Sequence, residues 1–140
     1  MVFPRQAISK RLLKDAVRFH GHLGPFLVLG LRAGLVANEV LGRTLSETYV
    51  IVETEPFPPF SCIVDGIQIA TGCTMGKGKI ELRKGSSVSI TFLQKERRLR
   101  IFLKNGVLET LKGVSSMEEG KQMALTFVEK PVQELFEIEL

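Results

Sequence analysis

The residues with the greatest chemical reach in this chain are few and sit in two glycine-flanked segments. The sequence contains two histidines, His20 and His22, and two cysteines, Cys62 and Cys73. His20-Gly21-His22 is an H-x-H pair, and imidazole with thiolate suits zinc, or iron, nickel or copper. On a helix, side chains two apart diverge, whereas in an extended turn they share a side, and the glycines flanking His22 permit such a turn. Four ligands from the two segments would close a tetrahedral structural site; three, with one position left to water, would leave it reactive. Neither spacing matches a finger or a C-x-x-C signature. A hydrogen-bonded loop histidine and a small buried cysteine therefore stay open as plain packing roles, as does a Cys62/Cys73 redox pair.

Polar residues crowd the same segments. Asp65 is placed to orient a ligand histidine or to act as a general base, with a helix-surface or capping carboxylate as the alternative. Gln68 projects from the same short stretch. The glycine-rich run from Gly72 to Gly78 offers backbone N–H groups to an anion, with Lys77 adding charge, or Lys77 is simply a solvated loop cation. Cys73 reads as a ligand or as a second reactive thiol. A nucleotide P-loop is excluded, because Lys77 is followed by Gly78 and Lys79. A second basic cluster, Lys95, Arg97, Arg98 and Arg100, alternates with Leu99 and Ile101, as the wet face of a strand does. With no aromatic side chain expected beside it for base stacking, nucleic-acid binding is disfavoured.

The elements that must position these residues follow from periodicity. Gln6 to Arg18 reads as an amphipathic helix that breaks at Phe19 to Pro25. Pro25 opens a second, largely buried helix that runs to about Leu41 and stops at Gly42. Thr48 to Val52 reads as a strand, Glu55 to Phe60 as a stiff extended loop, and Cys62 to Ala70 as a short helix. Three strands of an antiparallel meander follow, on Ile80/Leu82, Val88/Ile90/Phe92 and Leu99/Ile101/Leu103, ended by Asn105-Gly106. Met117 to Val128 is a last helix, and Pro131 precedes a short apolar tail. The expectation is a single α+β domain over residues 1–140, with helices against one face of a mainly antiparallel sheet.

With 140 residues, 44% of them hydrophobic and 24% charged, one sizeable core forms without a metal or disulfide staple. The net charge of +4 permits an acidic partner without demanding one. No apolar run is long enough to span a bilayer, and the N-terminus lacks the pattern of a signal peptide. With only two cysteines, these features give a cytoplasmic expectation.

Phe19-His20-Gly21-His22-Leu23-Gly24-Pro25, followed by Gly30-Leu31-Arg32 and Gly34, resembles the opening motif of the family named for the E component of formylmethanofuran dehydrogenase. Cys62 to Gln68, with Thr71-Gly72-Cys73-Thr74-Met75-Gly76-Lys77-Gly78, resembles that family's other hallmark. The resemblance spans Leu12 to about Leu103. Many members carry a C-terminal cysteine-rich, zinc-ribbon-like module; no cysteine follows Cys73 here, so the likeness is to the N-terminal domain. The resemblance implies an α-β-α-β-β-β core with a four-stranded mixed sheet, often as a homodimer. It also implies a metal, zinc before iron or nickel, surrounded by His20, His22, Cys62 and Cys73. The expected role is an accessory protein or small metalloenzyme of one-carbon and redox metabolism, associated with the subunits of molybdenum or tungsten enzymes. In it Asp65 or Cys73 would handle protons and Lys77 would steer an anionic group. The alternatives are a non-catalytic assembly module with a structural metal and a thiol-redox protein using Cys62 and Cys73.

Overall fold

A computed structural model describes residues 8–43 and 47–140. The N-terminal part of the first expected helix, Gln6 and Ala7, lies outside the described residues. Helix α1 spans Lys10–His20, capped by the Ser9 hydroxyl, which accepts from the Leu12 amide. It continues through Phe19 and His20, two residues beyond the expected break, and ends at Gly21. There φ is +110° and the amide donates to the Val17 carbonyl. Helix α2, Pro25–Leu41, starts on its proline and stops at Gly42, as the sequence predicts. Most of its faces are buried, with Leu27, Val28, Leu29 and Leu31 fully inside.

Strand β1 (Tyr49–Thr54) leads through a proline-rich turn and a 3-10 turn (Phe60–Cys62) into helix α3, Ile63–Thr71. Strands β2 (Ile80–Lys84), β3 (Ser89–Gln94) and β4 (Arg97–Leu103) follow. Then come helices α4 (Asn105–Lys112), α5 (Met117–Glu129) and α6 (Val132–Leu135) and strand β5, Phe136–Glu139. The α+β class holds, but the sheet has five strands where four were expected, in the order β2-β1-β3-β4-β5. The apolar tail supplies the fifth: Ile138 pairs with Ile101 and Phe136 with Leu103, so both extend the inner face while Glu137 and Glu139 point away.

The expected meander is also corrected. β2 lies parallel to β1, in register Val50 with Ile80 and Val52 with Leu82, and does not pair with β3. β1, α3 and β2 form a crossover unit, which returns the chain parallel to the strand it left. The β2–β3 link then passes the end of β1, where the Gly85 amide donates to the Thr54 carbonyl at 3.0 Å. Asn105-Gly106 follows the end of β4, where the sequence ends that run of strands, and opens α4.

The inner face of the sheet, with Val50, Val52, Ile90, Phe92, Leu99 and Ile101, packs under α2, and α3 lies across α2. That crossing is unusually close because glycine stands at it on both helices. A Cβ on Gly30 would overlap the Ile63 carbonyl oxygen, and one on Gly66 would overlap the Leu27 carbonyl oxygen. The contact fixes the start of α3 against the first turns of α2 and so sets where Cys62 and Asp65 stand relative to the α1–α2 turn. Among the described residues, no helix is long and apolar enough to cross a membrane.

Candidate functional site

The site is built where α1 ends. Gly21 takes the left-handed conformation that L residues adopt at a cost, and it folds the chain back after His20. The rings of His20 and His22 are thereby brought together, 4.8 Å between centroids and tilted by 39°. The H-x-H pair converges through a helix cap rather than through an extended turn.

His20 is held from the other side by α3. Its Nδ1 lies 2.6 Å from Asp65 Oδ2, and the His20 side chain is 9% exposed against 34% for Asp65. A carboxylate accepts, so this bond places the proton on Nδ1, and in the neutral form of the ring the lone pair then falls on Nε2. Nε2 is buried and has no hydrogen-bond partner among the described residues. An acceptor nitrogen left bare inside a protein costs roughly 1–3 kcal/mol unless something binds it. The other oxygen of Asp65 accepts from Gln68 Nε2 at 3.4 Å, and Gln68 Oε1 accepts from the Met75 amide at 2.8 Å. The glycine-rich loop therefore steadies the carboxylate that orients His20.

Cys62 precedes α3 and Asp65 lies in its first turn, three residues on, so the two share one side of the helix start. Burial, and then the Asp65 charge, push the half-buried Cys62 thiol above its ordinary pKa. Cys73 lies elsewhere. It is 1% exposed and its thiol donates to the Thr48 carbonyl at 3.7 Å, beyond the far end of α3. The nine residues of α3 separate it from Cys62, a rise of roughly 14 Å. A disulfide needs Cα atoms within about 7 Å. The redox-pair reading is therefore corrected, and both thiols are free. In chelator-treated protein, iodoacetamide at pH 8 is expected to modify Cys62 slowly and Cys73 scarcely at all. Asp65→Asn should speed Cys62 alkylation by removing the charge that opposes the thiolate, as read by intact mass against time.

Lys77 is exposed at the end of a 3-10 turn, Met75–Lys77. The amides of Lys77 and Lys79 donate to the Thr74 carbonyl, that of Gly78 to Met75, and that of Met75 to Gln68. The loop spends these N–H groups on itself and so presents no anion cradle through them. On the sheet, Arg97 donates to the Val40 carbonyl, Arg98 lies 3.9 Å from Glu139, and Arg100 stands 4.8 Å over the Phe102 ring. An aromatic residue does therefore stand on that strand face, contrary to expectation, and Arg100 already covers it.

The donor set answers in part whether a metal fits. His20 is arranged as a ligand histidine: carboxylate on one nitrogen, bare buried lone pair on the other. His22 is beside it and Cys62 lies at the same end of α3. Among the described residues, however, no group of three or more His, Cys, Asp or Glu side chains is gathered closely enough to hold an ion. The site offers one oriented donor with a second ring adjacent.

Comparison with known proteins bears on this arrangement. The family described as FmdE, Molybdenum formylmethanofuran dehydrogenase operon, matches residues 19–139. A probable S-adenosyl-L-methionine-binding protein of Archaeoglobus fulgidus is 39% identical over 82 residues, 54% of this chain and 21% of that protein. The chain thus spans about a fifth of that relative's length. The crystal structure of a tungsten formylmethanofuran dehydrogenase FmdE-like protein from Syntrophus aciditrophicus matches with a TM-score of 0.64 at 18% identity. That match covers 96% of this chain and 76% of the other and shows likeness of fold.

Proposed function

The chain belongs to the FmdE family, matched from residue 19 to residue 139, and on that premise we propose a metal-binding accessory role in formylmethanofuran dehydrogenase-related one-carbon chemistry. The observation that carries the reading is the bare, buried Nε2 of His20, opposite a carboxylate bonded to Nδ1. Asp65 fixes the tautomer and the orientation of the ring, as carboxylates behind metal-bound histidines do. His22 and Cys62 are the further donors, and zinc, ahead of iron or nickel, suits a nitrogen and sulfur set. Bound there, zinc would supply a Lewis acid for water or a substrate oxygen. Cys73, buried against Thr48, has a packing role in this reading, and Lys77 is a surface cation.

In this reading His20, His22 and Cys62 leave a fourth position open to water or to a donor from a partner, in keeping with an accessory role. S-adenosylmethionine binding belongs to the name of a protein of which this chain matches a fifth, and is not carried over.

The test is metal content per chain after purification without added metal or a histidine tag. Wild type is expected to hold about one zinc, His20→Ala none, and Asp65→Asn an affinity lower by about 10–100-fold. A His20→Ala variant that retains its metal, or a metal-free wild type, would overturn the assignment.

A further inference from the structure

A groove of about 960 Å³ runs between α1 and the start of α5, and His22 lines it. Its floor is aliphatic: Leu13 and Val17 from α1, Leu23 from the turn, and Met117, 72% exposed, from α5. Lys10, Lys14 and Arg18 stand along one wall and Lys121 on the other, against a single carboxylate, Glu118. None of these four cations is in an ion pair among the described residues.

The spacing narrows the occupant. Lys10, Lys14 and Arg18 follow each other at four-residue steps, one charge per helical turn over roughly 12 Å. A compact anion such as a phosphate would draw its donors to one point. Separate cations strung along an apolar trough match a linear partner with carboxylates at similar intervals and aliphatic side chains between them. Exposed methionine adapts its shape to such a partner. The chain's own solvent-facing helices do not fit that description: α4 pairs Glu109 with Lys112, and α5 mixes both signs along its exposed face.

We propose that this groove docks an acidic amphipathic helix of a partner protein, in the helix-in-groove manner. The docked helix lies against His22, whose ring adjoins His20, at the mouth of the donor centre. The proposal rests on the accessory-protein reading and adds the kind of partner and the face it uses.

The experiment uses the full chain and three labelled helical peptides followed by fluorescence anisotropy at low salt. One carries leucines at i, i+3 and i+7 flanked by glutamates; the second has lysine for each glutamate; the third has serine for each leucine. The acidic leucine peptide is expected to bind at least tenfold more tightly than either control and to shift the His22 ring resonance. Lys14→Glu/Arg18→Glu should weaken it at least tenfold and turn the preference toward the lysine peptide, an exchange that an unfolded variant would not show. Arg98→Glu, on the sheet, should leave binding unchanged. Equal binding of the three peptides, or no effect of the double reversal, would overturn the proposal. So would self-association in sedimentation that the reversal abolishes, because the occupant would then be a second copy. Zinc content on the same preparations separates the two ideas: peptide binding without metal removes the metal centre alone, and metal without peptide binding removes the groove alone.

Discussion

Gly66→Ala is expected to destabilise the protein by more than about 4 kcal/mol, well above the usual range for a point substitution. In an exposed helix the same change is favourable by about 1 kcal/mol, since alanine is the better helix former. The sign here is set by packing. The added methyl would overlap the Leu27 carbonyl oxygen and lie 2.7 Å from the Leu31 amide nitrogen, both of them backbone atoms of α2 that cannot rotate aside. Gly30→Ala meets the Ile63 carbonyl and should behave alike. Gly21→Ala is the control: among the described residues nothing lies within 4 Å, and the expected cost is only the left-handed strain of about 1–2 kcal/mol. Urea unfolding followed by circular dichroism separates these cases. A Gly66→Ala variant within about 1 kcal/mol of wild type would mean that α3 can slide on α2, and the position of Asp65 under His20 would then not be fixed by that crossing.

The same crossing explains what was legible in the sequence. α2 announces itself with Pro25, a long apolar run and Gly42, all local signals, and its bounds match. Gly30, Gly34 and Gly66 are visible as residues, but their partner in the crossing is not, because a close helix approach is a long-range fact. The same holds for β2. Its alternation of Ile80 and Leu82 marks a strand, yet nothing in that alternation says whether its neighbour is β1 or β3. The crossover through α3 decides it. β5 escapes notice because so short a tail after Pro131 gives a period no room to declare itself; only pairing with Leu103 and Ile101 makes it a strand.

At the site, residue chemistry singles out His20, His22, Cys62 and Asp65 from type and local context. The structure joins the first two to each other and His20 to Asp65, 45 positions away. Gln68, which in sequence only projects from the short helix, ties Asp65 to the glycine-rich loop. Cys73 looks equivalent to Cys62 in sequence because both border the same short helix. Position on a helix axis separates them: one thiol begins α3 beside Asp65, and the other follows Gly72 at the opposite end. The basic groove is hidden for a different reason. Lys10, Lys14 and Arg18 read as the wet side of an amphipathic helix, and Met117 as the first residue of another. Only the packing of the two helices makes them one surface.

Arg32→Ala is expected to lower stability by about 3–5 kcal/mol, the second large effect. Arg32 is 1% exposed, in the middle of α2, and its Nη1 donates to the Phe127 carbonyl at 2.7 Å and the Val128 carbonyl at 3.1 Å. Those carbonyls lie in the last turn of α5, where the helix has no further amides of its own to satisfy them and its dipole favours a cation. Truncation removes a charged donor from two acceptors and leaves a cavity in the core, and each loss alone costs one to a few kcal/mol. Arg32→Met separates the contributions, because it refills most of the volume without restoring a donor. It should recover part of the loss, on the order of 1–2 kcal/mol. The anchor also reaches the groove. α5 carries Met117 and Lys121, one wall of it, and Arg32 ties the other end of that helix to α2, which begins three residues after His22. A folded Arg32→Met protein should therefore bind the acidic leucine peptide more weakly while keeping the His20 donor arrangement, whose contacts run through α1 and α3. Full peptide affinity in that variant would show that the groove wall is held by contacts other than this anchor.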